Sequence, residues 1–380
     1  MIRTSEAITI DRRSALAGLG AGLAALALPQ SARATPKPRV FGAQGGLETG
    51  FWLTALDGDG GTRVTLPLPA RGHDTAIDPA GKRAVIVARR PGRFAMVVDL
   101  ASGGLEREIT ARPGRHFYGH AVFSPDGALF YTTENEYEAG EGRIGVRDAK
   151  DGFRWLGELP SHGIGPHQLA LLTDGETIVV ANGGIRTHPD QGRRKLNLET
   201  MEPSLVRLER ASGKLLESRS LAPWLHQLSI RHIAVDGADR IAVAMQHEGS
   251  VQDRVPMVAI DRGDGALALL RAPEAVELRM RNYCGSVCLD SGGQVMAVSH
   301  PRGGQITFWS WPEGDYLSRI NFLDGCGLAP AGAPGRFWIS NGRGALILHD
   351  ALSEASEPRQ VALHEGRYWD NHLTFRAGTS

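Results

Sequence analysis

The chain has 380 residues, with 42 Lys+Arg against 42 Asp+Glu, 48 Gly, 21 Pro and 3 Cys, and 42% of it is hydrophobic. A chain of this length buries a core large enough to fold without disulfides or metals, and zero formal charge without a Lys/Arg run of the kind a nucleic-acid or anionic-membrane surface uses excludes a generic polyanion binder. Glycine stands well above its usual share of about 7% without any collagen-like period or Gly/Ser tract, which places it in many turns between many short strands.

Residues 1–34 read as an export signal. Asp11-Arg12-Arg13-Ser14-Ala15-Leu16 leads into a mildly apolar, Gly/Ala-rich stretch to Leu28, and Ala32-Arg33-Ala34 follows as an A-x-A cleavage site. Paired arginines before a weak hydrophobic region resemble a bacterial twin-arginine leader. The apolar stretch is too short and too rich in small residues for a membrane span. The expectation is a single mature domain over residues 35–380, located in the periplasm, with no stable membrane span after cleavage and no nucleic-acid partner. Export in the folded state raises the expectation of a bound group.

A unit of roughly fifty residues then recurs. Gly72-His73-Asp74-Thr75-Ala76-Ile77 leads to Ala84-Val85-Ile86-Val87-Ala88 and Phe94-Ala95-Met96-Val97-Val98-Asp99. Gly119-His120-Ala121-Val122-Phe123 leads to Leu129-Phe130-Tyr131-Thr132-Thr133 and Ile144-Gly145-Val146-Arg147-Asp148. Later copies open at His167, His232, Cys284 and Cys326. A seventh unit is split: Asp370-Asn371-His372-Leu373-Thr374-Phe375 supplies a first strand, and segments beginning at Arg39, Gly50 and Arg63 supply the other three.

The spacings of the openers are 47, 47, 65, 52, 42 and 46 residues, which fits seven four-stranded blades. The predicted fold is an all-β, seven-bladed β-propeller whose last blade is closed by both termini, leaving no open sheet edge. Asp-Gly pairs at Asp57, Asp126, Asp174, Asp236 and Asp264 are the expected hairpin turns. The longest spacing contains an insertion, about 183–203, between the second and third strands of its blade, where a long polar loop carries function or mobility.

In a propeller the entry into each innermost strand and the loop after each second strand lie on one face around the channel. The openers His73, His120, His167, His232, Cys284, Cys326 and His372, with His247, His300 and Glu134 from the loops, are therefore the candidate ligands for a transition metal such as iron, copper or zinc. A Gly-His opener also occurs in WD-repeat blades, where the histidine bonds within its own blade. Those blades carry a Trp-Asp pair that is missing here. Three thiols in an oxidising compartment leave at least one unpaired; Cys284 and Cys326 open adjacent blades and suit either a disulfide or a shared metal. Motifs for an esterase elbow, a phosphate loop, a zinc protease and c-type haem attachment are absent from the sequence.

The leader, the His/Cys openers and above all Gly183-Gly184-Ile185-Arg186-Thr187-His188-Pro189-Asp190 with Lys195-Leu196-Asn197-Leu198-Glu199-Thr200-Met201-Glu202-Pro203-Ser204-Leu205 resemble domain-of-unknown-function family 1513. The resemblance covers the mature chain. It implies a seven-bladed propeller similar to quinoprotein amine dehydrogenase β-chain-like and YVTN-type propellers. It also implies an association with periplasmic iron-handling proteins of imelysin and di-haem peroxidase-like types. It supplies no catalytic residues. Metal binding or handling, associated with iron uptake, is the leading expectation. An interaction scaffold without metal comes second, and a lactonase-like or oxidoreductase-type enzyme third.

Overall fold

The computed structural model of the protein describes residues 40–46, 48, 50–353 and 357–376. The leader at 1–34 lies outside the described residues. Seven four-stranded antiparallel sheets are arranged as blades around a channel. Their innermost strands are Gly72–Ile77, Arg115–Phe123, Pro166–Leu171, Leu228–Val235, Ser286–Leu289, Gly325–Pro330 and Arg367–Phe375, numbered here as blades 1 to 7. Blade 7 is built from both ends of the chain: Arg367–Phe375 pairs with Val40–Gly46, followed by Gly50–Leu56 and Thr62–Leu68. The expected ring closure is therefore present.

Each second strand is sandwiched between two neighbouring blades, which explains its continuous apolar run. In Arg83–Ala88, the side chains of Ala84, Ile86 and Ala88 pack with Phe41, Leu53 and Ala55 of blade 7. Val85 and Val87 point the opposite way, onto Phe117, Phe123 and Phe130 of blade 2. One strand thus joins two cores.

Among the described residues, 24 glycines have positive φ, which is where the glycine excess resides. Gly127 and Gly175 take left-handed conformations after Asp126 and Asp174, and each aspartate accepts a backbone N–H two residues on, at 3.0 and 2.8 Å. At Asp57 and Asp236 the left-handed residue is instead Gly60 or Asp239, so these turns are longer than the Asp-Gly pair suggests. The insertion lies between Thr177–Asn182 and Ser204–Glu209 of blade 3, as its spacing predicts. A helix, α1 (Glu274–Met280), connects blades 4 and 5. No helix among the described residues is long and apolar enough to cross a membrane.

Candidate functional site

In six of the seven blades the ladder between the first two strands slips near the opener. The residues passed over are His73-Asp74 in blade 1, Tyr118-Gly119-His120 in blade 2, His167 in blade 3, Arg231 in blade 4, Cys326-Gly327 in blade 6 and Asp370-Asn371-His372 in blade 7. Bulges of this kind release a strand from its pleat and re-aim its side chains. Here they bring imidazoles from five consecutive blades together.

Donor atoms of His73, His120, His167 and His372 lie within 4.8 Å of one another. His232 extends the group, its ring centroid 4.6 Å from that of His167 and 4.8 Å from that of His372. All five side chains are buried. Gly119, at φ +112°, permits the close packing: a Cβ there would lie 2.9 Å from Cβ and Cγ of His73.

Two carboxylates stand behind the imidazoles. Asp370 Oδ1 is 2.7 Å from His73 Nδ1, and Asp74 Oδ2 is 2.9 Å from His120 Nδ1. Each carboxylate holds the proton on Nδ1 and leaves Nε2 with a free lone pair, the arrangement that orients metal-bound histidines. Asp370 is itself fixed by Arg71, by Arg89 Nη1 at 3.1 Å and by the Asn371 N–H at 2.8 Å.

Burial pushes His73 down to about 4 against the opposing pull of Asp370, and it holds His167, His232 and His372 well below the usual imidazole range. Burial would raise the Asp74 carboxyl, but the hydrogen bond and charge of His120 outweigh it and hold Asp74 at about 2. Asp370 is likewise held low, with Arg89, His73 and Arg71 overcoming desolvation. Burial thus disfavours protonation of His73, His167, His232 and His372, beside two carboxylates that are held low.

The donor set fits a transition ion. Nε2 of His73, His120 and His372 and both ring nitrogens of His167 and His232 are shielded from solvent with no hydrogen-bond partner among the described residues. Unpaired buried polar atoms are costly and are met by ordered water or by a bound ion. An ion bonded at about 2.1 Å to four imidazoles holds their nitrogens roughly 3.4 Å apart, so from separations of up to 4.8 Å the rings close by at most about 1.4 Å. Imidazole donors suit zinc, copper and iron.

The other expected ligands are directed elsewhere. Cys284 precedes its strand, and its backbone N–H is tied to Met245 O at 3.2 Å. Its thiol therefore turns into the core between blades 4 and 5, 3.5 Å from Met257 O and 3.7 Å from His300 Nδ1. His300 faces the same interior, with Nε2 3.0 Å from Thr307 Oγ1. The Cys326 thiol points at the Asp370 carbonyl, 3.3 Å away. Burial pushes both thiols up to about 12, and all three cysteines are free and buried. Glu134 is enclosed in blade 2, paired with Arg147 at 2.9 Å and accepting from Thr132 at 2.8 Å. His247 bonds Asp253 at 2.8 Å at the rim. Blades 5 and 6 thus add no donor to the cluster.

Sequence reasoning missed the carboxylates, although Asp74 directly follows one clustered histidine and Asp370 lies two residues before another. It also missed the wall of the cavity above the imidazoles. That cavity, of about 480 Å³, has His73 and His167 among its lining and Arg90, Arg193, Lys195, Arg231 and Arg302 around them. Arg193 and Lys195 come from the insertion, which is therefore part of the site. Asn197 anchors that loop, accepting from the Arg186 N–H at 2.7 Å and donating to the Gly184 carbonyl at 2.9 Å.

A family model described as "Protein of unknown function (DUF1513)" matches residues 66–376. Comparison with curated proteins gives no match. Among solved structures, a chain of hydrazine synthase from Kuenenia stuttgartiensis is similar, with TM-score 0.59 and 16% identity, over 82% of this chain and 90% of that one. The β-propeller domain of Cps50 (Swd1) from Myceliophteria thermophila is similar at TM-score 0.56 and 12% identity, over 76% of this chain and 87% of that one. At these identities the likeness concerns the fold alone.

Proposed function

The chain belongs to the DUF1513 family of proteins of unknown function, and on that premise we propose that it is an exported metal-binding protein that holds a transition ion among its channel histidines. The observation that carries this reading is the set of partnerless imidazole nitrogens on His73, His120, His167, His232 and His372, backed by Asp370 and Asp74. Burial disfavours protonation of His73, His167, His232 and His372, so an ion meets little competition from protons at these rings. The Arg12-Arg13 leader supports export, and service to periplasmic iron-handling partners follows from the family resemblance rather than from the site.

The test is elemental analysis and an absorption spectrum of untagged exported protein, then titration of the metal-free form with Fe(II), Cu(II) and Zn(II). Stoichiometric binding that is lost in a His73→Ala/His372→Ala double variant is the expected result. A protein that arrives without metal and takes up none of the three ions overturns the reading.

A further inference from the structure

The cavity above the imidazoles carries a charge imbalance that the protein does not resolve. Its lining brings seven cationic side chains together with only Glu248 and Asp324 as carboxylates. Arg71 and Arg89 share the single negative charge of Asp370 behind them, and Lys195 pairs with Glu248. Arg90, Arg193, Arg231 and Arg302 remain, drawn from blades 1, 3, 4 and 5, and none of them is ion-paired among the described residues. Arg231 Nε is shielded from solvent and makes no hydrogen bond. Asp324 adds one negative charge to the lining, which leaves the unpaired guanidiniums in excess. Like charges gathered around one cavity repel one another, and the half-buried Arg90 and Arg231 also lose hydration, a cost that a bound anion removes.

We propose that this cavity binds a small organic or inorganic polyanion, one carrying at least two carboxylate or phosphate groups. Guanidinium forks match both oxyanions in paired hydrogen bonds, and the cavity volume lies in the range of small-molecule sites. A neighbouring cavity of about 340 Å³ shares Arg71, Arg89, Arg90 and Arg193, so the positive wall continues beneath the insertion. With His73 and His167 in the lining, an anion seated here lies directly over the imidazole group. The insertion thereby delivers Arg193 to an otherwise open mouth. The proposal goes beyond metal binding and stands without it, because the unpaired guanidiniums are independent of any ion in the cluster.

The test is calorimetric titration of metal-free protein with citrate, pyrophosphate and acetate, after metal removal with a neutral chelator, because an anionic chelator would occupy the site. Citrate or pyrophosphate is expected to bind at least tenfold more tightly than acetate, and the preferred one identifies carboxylate or phosphate as the natural chemistry. Arg193 and Arg302 are exposed, so Arg193→Gln/Arg302→Gln leaves the fold intact. This double variant is expected to lose at least tenfold in affinity and to show a shallower salt dependence. The same titration in His73→Ala/His372→Ala separates the two readings: persistence of anion binding there supports an independent site whether or not wild type holds metal. Equal weak binding of all three anions, or affinity unchanged in Arg193→Gln/Arg302→Gln, overturns the proposal.

Discussion

Asp370 holds His73 by its Nδ1 at 2.7 Å while Arg71 and Arg89 grip the same carboxylate from the other side. This one residue therefore couples the imidazole cluster to the cationic cavity above it. Its charge fixes the ring orientation of His73 and partly offsets two of the arginines in the wall.

Asp370→Asn keeps the shape of the side chain and removes its charge. Loss of a carboxylate behind a metal-bound histidine weakens metal binding about 10- to 100-fold. The same change frees Arg71 and Arg89 of their counter-charge, so affinity for a polyanion is expected to rise. Competition titration for metal and calorimetry for anion, run on one preparation, read the two opposite effects.

Gly119→Ala places a methyl group against His73, 2.9 Å from its Cβ, on a backbone at φ +112° that L-residues avoid. Stability is expected to fall by about 1–3 kcal/mol, and His73 is displaced from the cluster. A lowered urea midpoint together with weakened metal uptake checks this. Gly114, at φ +75° with nothing near its missing Cβ, supplies the comparison: alanine there costs backbone strain only and leaves uptake intact.

The metal-free protein is expected to lose stability as the pH falls from about 6.5 to about 4. His73 titrates near 4 in the folded protein against 6.5 for an ordinary imidazole in an unfolded chain, so across that window the unfolded state binds more protons. The stabilisation is fully present above 6.5 and is lost as the pH drops through the window, by up to about 1.4 kcal/mol per pH unit per such histidine. His167, His232 and His372 act in the same direction. Asp74 adds a separate loss between 3.8 and about 2, where its depressed carboxyl must protonate. Urea midpoints at pH 7.5, 6 and 5 follow the first window.

Cys284, Cys288 and Cys326 are free and buried, and burial raises each thiol. Iodoacetamide should leave the native protein unlabelled. Denaturation without reductant should expose all three to alkylation, read as three mass increments. A single increment would reveal a disulfide between two of the three.

The architecture was legible because each layer of the sequence repeats it. Apolar second strands such as Ala84–Ala88, turn aspartates such as Asp126 and the isolated strand around His372 all point to a ring closed by both termini. The imidazole group was legible from its position at the strand entries. What the spacing did not carry was side-chain direction. Cys326 sits on a bulge like those of the histidines, yet its thiol turns to the Trp369 and Asp370 carbonyls, and Cys284 is pulled aside before its strand begins. The cationic wall was hidden for a different reason. Its arginines are scattered from Arg71 to Arg302 and disappear into a chain whose formal charges cancel.

The split blade imposes an order on assembly. Asp370 and His372 belong to Arg367–Phe375, the last of the described strands, so the imidazole group is incomplete until that strand has been made and has paired with Val40–Gly46. An ion bridging His372 to His73 and His167 spans the seam between the two ends of the chain and acts as a rivet across it. Metal occupancy would then report that the ring of blades is closed.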